Sequence, residues 1–382
     1  MTWNLKRGFL PDIDPVTFLN GDDHNFVQHN FVVENLATNM TAMLDSRCYR
    51  EEVVYELRKL NKIHEYLRHI CKTDASAERA MMLFSYFASA YVYATHEKSA
   101  DRIPKEIAIP LTWLGRRLQR PPILAYPSYC LSNWCRVDPT KDVELGNIGL
   151  LQNFTHMDGR EDEDWFILVH VDIEAKAAPA IQAIAELPKL LSQPDLEPIK
   201  KRLFAISHSM FEMNATLRRM PEECSSDVYY HQVRPYIFSF ENVKYETCWD
   251  EPQTFRGETG AQSSCVPALQ IALGVQHKES MLTKHLRDMR TYMPKKHRDF
   301  LGNLEKHWFE NGNTSLRDYA LDSEGVDLYN DCIQQLAAFR TTHLEYAVNY
   351  IQKKVENPKG TGGTPYIEWL SKLASETEEY YL

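Results

Sequence analysis

The chain has 382 residues, with 43 Lys and Arg against 53 Asp and Glu, giving a formal charge of −10 at pH 7. This acidic excess argues against nucleic acid as a partner. Hydrophobic and charged fractions of 43% and 25% exclude a disordered chain, and 15 Gly with 19 Pro exclude collagen-like and low-complexity classes.

The Asp-, Asn- and Pro-rich opening, to about residue 30, predicts irregular structure. The start MTWNLKRGFL lacks the apolar core of a signal peptide. No run of about 18 apolar residues is present to cross a membrane. From Glu51 to Cys71 the residues Val54, Leu57, Leu60, Ile63, Leu67 and Ile70 recur at helical spacing and predict one amphipathic helix. Ala80 to Thr95 carries no charge and predicts a buried helix. Pro104, Pro110, Pro121, Pro122 and Pro127 break the next stretch into short pieces. Ile107–Leu111 and Val233–Phe240 alternate like strands, each without a hairpin partner.

The polar stretch Thr155–Asp164 reads as a connector, and it places a domain boundary between 1–154 and 155–382. Helices are expected over Trp165–Leu191, Leu196–Met220, Gln262–Val275, Pro294–Leu304 and Asp327–Lys354. Pro179 should kink the first of these, and its Ala run at 175–184 should pack closely on a neighbour. ENPKGTGGTP at 356–365 cannot be helical, and Thr364 would cap a last helix over 366–373. The fold class expected is all-α, with a small N-terminal and a larger C-terminal helical domain. No exposed heptad seam is seen, so a monomer is expected. The eight cysteines include no Cys-x2-Cys pair and are too sparse for a disulfide scaffold. The composition fits a reduced, cytoplasmic protein.

Several residues could carry chemistry. The pairs His24/His29 and His64/His69 are five apart, do not share a helix face, and read as surface or packing residues. His170-Val171-Asp172 spells the His-x-Asp of a non-haem iron triad, a weak signal in a helical segment. His343 shares a face with Leu336, Phe339, Tyr346, Ala347 and Tyr350. An imidazole on such a stripe suits haem iron, but spacing alone favours a satisfied core histidine. Gly360-Thr361-Gly362-Gly363-Thr364 is a flexible linker or a hinged lid, and not a P-loop. Arg234 lies among aromatics, and Pro235 should hold it in an extended segment. There it could pair with a carboxylate or form a structural salt bridge.

Taken in order, these segments resemble the indoleamine 2,3-dioxygenase family. The likeness runs from Ile107-Ala108-Ile109-Pro110 through Pro121–Tyr126, Leu131-Ser132-Asn133-Trp134, Val233-Arg234 and Gly260–Ser264. It continues through Tyr292-Met293-Pro294-x-x-His297-Arg298, Arg340-x-x-His343-Leu344 and Lys359–Thr364. The resemblance implies haem b as cofactor and O2 as co-substrate, with an electron donor to make ferrous haem. The implied substrate is L-tryptophan, opened to N-formylkynurenine, with another indole or plain O2 carriage as alternatives. Arg234 and the glycine lid argue against a carrier. The resemblance makes His343 the proximal ligand and Arg234 the clamp for the substrate carboxylate. Tyr126 and Phe166 line the distal pocket, Gly260 lies near the substrate, and Thr361 bonds its amino-acid end from the lid formed by Gly360, Gly362, Gly363 and Thr364.

Three positions depart from the animal enzymes of the family. His170 stands at the distal position where Ser is usual. A neutral His170 would accept a hydrogen bond from the indole N–H and discriminate against N1-methyl-tryptophan. Tyr229 replaces a Phe beside the clamp. Gln270 replaces an Asp near the proximal histidine, which should leave the ligand less electron-rich and raise the reduction potential.

Overall fold

The protein is described from a computed structural model that covers residues 4–19, 26–94, 98–155, 160–192, 195–310, 315–354 and 366–382. The fold is 66% helical with very little strand, so the all-α expectation holds. The first helices are α1 Val27–Asp45, α2 Tyr49–Leu57, α3 Ile63–Ile70, α4 Asp74–Val92 and α5 Lys105–Leu118. Then come α6 Arg160–Leu191, α7 Leu196–Arg218, α8 Ser226–Val228, α9 Cys265–Ala272 and α10 Met281–Arg290. The last are α11 Lys295–Glu305, α12 Leu316–Leu321, α13 Val326–Tyr350 and α14 Tyr366–Glu378. The short strands are β1 Arg102–Ile103, β2 Trp134–Arg136, β3 Ile148–Leu150, β4 Phe240–Tyr245 and β5 Gln253–Phe255. They form a sheet ordered β1-β4-β5 and a β2-β3 pair.

Three local expectations fail for physical reasons. The single helix over Glu51–Cys71 is two, because Lys62 takes a left-handed conformation (φ 49°, ψ 42°) between α2 and α3. Ile107–Leu111 is helix, not strand. Ile107, Ala108, Leu111 and Leu114 are all buried, which is the spacing of a helix face and not of a pleat. Five residues were too few to separate the two periods. Val233–Phe240 is not a strand either. Tyr229–Val233 is a π-helical turn, Arg234–Ile237 a 3₁₀ turn, and pairing begins only at Phe240 with β5 and at Lys244 with β1.

Other expectations hold with shifted ends. The uncharged helix is α4, whose Thr73 side chain accepts from the Ser76 amide in a capping box. The expected Gln262–Val275 helix shrinks to α9. It follows a 3₁₀ turn over Gly260–Gln262 and stops before Gly274 at φ +73°. The Ala run of α6 does pack closely: a Cβ on Gly8 would sit 2.9 Å from Ala178 Cα.

Two hydrophobic cores organise the chain. The first is built from α1–α5, the 123–134 segment and residues of β4; the second from α7, α9, α11, α12 and α13. The helix between them is α6, 32 residues and about 48 Å long. It gives Ile167 and Val171 to the first core, and Val169, Ile173 and Ala177 to the second. Pro179 and Pro188 lie inside it without ending it. Helix α6 packs on α7 and α9, and α13 packs on α7 and α14. Among the described residues, no helix is long and apolar enough to cross a membrane. All eight cysteines are free thiols.

Candidate active site

A cavity of about 380 Å3 lies between α6, α9, α10, α13 and α14. Ile173, Met213, Leu217, Val266, Ile271 and Phe339 give it apolar walls. Glu279, Arg287, Arg290 and Glu305 also line it, as the pairs Arg287–Glu279 and Arg290–Glu305. The first pair is solvent-exposed and marks where the cavity opens.

His343 and His170 stand on this cavity from opposite elements, α13 and α6. Helix α13 buries Tyr329, Cys332, Ile333 and Leu336 in the second core and turns His343 to the open space. His343 is an exposed residue whose accessible surface looks into the cavity. Desolvation by the cavity walls, with a smaller contribution from His170, pushes its pKa down to about 4, so it is neutral at pH 7. Among the described residues, no side chain or carbonyl bonds to its ring. It is therefore not the hydrogen-bonded core histidine that spacing alone favours.

His170 is anchored differently. Its Nδ1 lies 2.7 Å from the Phe166 carbonyl, one helical turn earlier, so Nδ1–H donates to that oxygen. Burial lowers its pKa. The neutral ring therefore keeps its proton on Nδ1 and leaves the Nε2 lone pair as an acceptor. Asp172 is on another side of α6, where its carboxylate accepts from the Leu145 amide (3.1 Å) and the Thr216 hydroxyl (2.6 Å). The His-x-Asp triad thus fails, because i and i+2 of a helix diverge. Among the described residues, no cluster of three or more His, Cys, Asp or Glu could hold a metal.

Tyr126, Gly260 and Gln270 line the same cavity. Tyr126 precedes the π-helical turn Pro127–Leu131, and its ring centroid is 6.1 Å from that of His170. Gly260 has open space where a Cβ would lie. The Gln270 Oε1 accepts from Arg340 Nη2 at 2.7 Å. Arg340 also donates to the Leu373 carbonyl and the Thr377 hydroxyl, which fastens α14 to α13. Phe166 lies tilted beside His170 and Tyr229 lies behind Phe166, both at 4.7 Å between centroids, and neither is among the cavity-lining residues.

Arg234 is 3% exposed and is not among the cavity-lining residues. Its guanidinium lies 4.7 Å from the Phe238 ring and 5.4 Å from Tyr230. It opens a 3₁₀ turn at φ −55°, ψ −36°, not an extended segment, so the local bias of Pro235 yields to packing. Gly360, Thr361, Gly362, Gly363 and Thr364 lie outside the described residues.

Sequence reasoning left two site residues without a role. Buried Gln262 accepts from the Tyr126 amide and donates to the Gly257 carbonyl, both at 2.9 Å. Gly257 has no room for a side chain, since a Cβ would meet the Ile237 carbonyl oxygen at 2.2 Å. Glu174, one turn beyond His170, accepts from Tyr126, Ser263 and Cys265. Its i+4 spacing from His170 was the available signal.

A mostly helical protein with two histidines on one largely apolar cavity has the kind of pocket in which helical proteins hold cofactors. Residues 3–357 match the family described as indoleamine 2,3-dioxygenase, and the chain belongs to that family. It is 30% identical to mouse indoleamine 2,3-dioxygenase 1 over 376 residues, covering 91% of this chain and 88% of that one. It is 28% identical to human indoleamine 2,3-dioxygenase 2, covering 87% and 88%. It is also 26% identical to a 6-hydroxytryptophan 2,3-dioxygenase of Fusarium equiseti, covering 98% and 96%. Membership makes the chain a haem-dependent dioxygenase.

Proposed function

We propose that the protein opens the indole ring of L-tryptophan with O2 to give N-formylkynurenine, both oxygen atoms entering the product. The observation that carries this reading is the pair of neutral histidines facing one cavity, one bonded and one open. The residues fit haem b. His343 has no hydrogen-bonding partner among the described residues, much of the wall is apolar, and a single protein ligand would suffice for a group that brings its own nitrogen donors. When bound and reduced by an electron donor, haem supplies the O2 chemistry.

The protein's part is to bind and orient. His343 would hold the iron from α13. On the other side, Tyr126, Phe166 and Tyr229 give the flat indole an aromatic wall. His170 accepts the indole N–H at Nε2 and keeps its own proton on Nδ1, tied to Phe166. Gly260 leaves room for the substrate beside its Cα. Arg234 is the cation for the substrate carboxylate, and Thr361 of the glycine segment bonds the amino-acid end. Gln270 stands with His343 on the proximal side and steadies Arg340. In this reading residues 1–154 contribute Tyr126 to the site, and 155–382 form the haem-binding unit.

A second reading is a hydroxylated indole as substrate, favoured by the Fusarium relative that aligns over nearly the whole chain. The test is stoichiometry. Reduced, haem-loaded protein given L-tryptophan in air should consume one O2 and release one N-formylkynurenine per tryptophan. Turnover of 6-hydroxytryptophan alone would move the assignment to the second reading.

A further inference from the structure

We propose that Glu174 is the positioning residue of the distal wall, fastening Tyr126 and the 260–265 loop to the helix that carries His170. This rests on reading the cavity as the haem and indole site. Glu174 is 1% exposed and stands behind the cavity surface. Its Oε1 accepts from Tyr126 Oη at 2.9 Å and Ser263 Oγ at 2.6 Å, and its Oε2 accepts from Cys265 Sγ at 2.9 Å. All three donors line the cavity, and they come from two segments far from α6 in sequence.

Gln262 joins those two segments to each other. Glu174 joins both to α6, one turn after His170, on the same helix face. All three partners arrive as donors, so a carboxylate is the group that satisfies them together. A proton placed on the carboxyl would displace one of them. Burial favours that proton, and the three donors oppose it. The distance between His170 and the opposite loop is therefore set by a side chain that need not touch the substrate.

The chemistry distinguishes two substitutions. Glu174→Ala removes every acceptor and leaves two buried donors and one half-buried donor facing a void. Glu174→Gln keeps one oxygen for Tyr126 and Ser263, and turns its amide to the Cys265 sulfur, a weak acceptor. With Glu174→Ala, KM for L-tryptophan should rise about tenfold while kcat moves less than about threefold, the pattern of lost binding geometry. Glu174→Gln should return KM to within about threefold of wild type.

A second readout needs neither haem nor turnover. In cofactor-free protein Cys265 lines the cavity but is only 1% exposed, and burial together with Glu174 holds its thiol protonated, so its alkylation by iodoacetamide should be slow in wild type. Alkylation of Cys265, followed by peptide mass spectrometry, should be about tenfold faster in Glu174→Ala than in wild type. Ser263→Ala, a small deletion in the loop, keeps the test open if Glu174→Ala does not fold. It should raise both KM and Cys265 alkylation several-fold. Unchanged alkylation in Ser263→Ala and in any folded Glu174→Ala would overturn the proposal, as would a KM that Gln fails to rescue. If wild type turns over no indole, the functional reading fails, and the alkylation result still decides the role of Glu174.

Discussion

The two walls of the cavity are built on opposite plans. On α13, His343 meets no hydrogen-bonding partner among the described residues, and the polar groups nearby are bonded elsewhere, Gln270 to Arg340 and Arg340 to α14. On α6, His170 is pinned by its own helix, and Glu174 gathers three donors from neighbouring loops. Desolvation by the surrounding protein lowers the pKa of both imidazoles, although His343 is open to the cavity and His170 is only half-buried. What separates them is the partner. In the proposed function the bare wall offers its lone pair to a metal, and the networked wall offers fixed acceptors and shape to an organic substrate. On that reading one residue type does two jobs, and the hydrogen bonds around it decide which.

Substitutions can break this contrast from either side. His343→Ala has the largest expected effect: haem incorporation and turnover are both lost, read from the Soret band and product formation. His297, packed 4.6 Å from the Phe9 ring behind the distal loop, has its pKa pushed down to about 3, chiefly by burial. Between that value and the unfolded pKa near 6.5, the unfolded chain binds the proton that the folded one refuses. Stability therefore rises with pH through this window and is lost on acidification. From pH 7 to 4.5 the His297 share is about 2 kcal/mol, so His297→Phe should flatten the loss by that amount in denaturant titrations. An unchanged slope would mean that His297 is not held neutral.

Arg234→Ala should raise KM for L-tryptophan by about a hundredfold, the cost of leaving a desolvated carboxylate unpaired. A KM within a few-fold of wild type would leave Arg234 a packing residue beneath Phe238. His170→Ala should lower the preference for tryptophan over N1-methyl-tryptophan by about tenfold. A preserved preference would remove the N–H acceptor from the networked wall. The smallest effect is expected on the bare wall. Gln270→Asp brings a negative charge to the proximal side and should lower the haem reduction potential in a spectroelectrochemical titration. A raised or unmoved potential would contradict that.

Much of this arrangement was legible in the residues, and the exceptions share a cause. The helix that carries His343 is 25 residues long, enough for its apolar period to be read, and α13 appears within a few residues of expectation. The ordered motifs bring Tyr126, His170, Gly260 and His343 to one cavity. Five residues at Ile107–Leu111 could not separate period 2 from period 3.6. At Arg234 a local rule about the residue before proline lost to the burial of Arg234, Tyr236 and Ile237 around a turn. The π-helical turns at Pro127–Leu131 and Tyr229–Val233, both beside the site, have no sequence period of their own. The spacing of Glu174 from His170 was readable, but its role was not, for a different reason. Its partners lie 48, 89 and 91 residues away, and a hydrogen bond across such spans is set by packing.

The sharpest test of the contrast between the two walls is to titrate haemin into cofactor-free wild-type protein, His343→Ala and His170→Ala, and follow the Soret band. Stoichiometric binding is expected for wild type and His170→Ala, and no histidine-ligated spectrum for His343→Ala. The contradicting result is a histidine-ligated Soret band that survives in His343→Ala and disappears in His170→Ala, which would exchange the roles of the two walls.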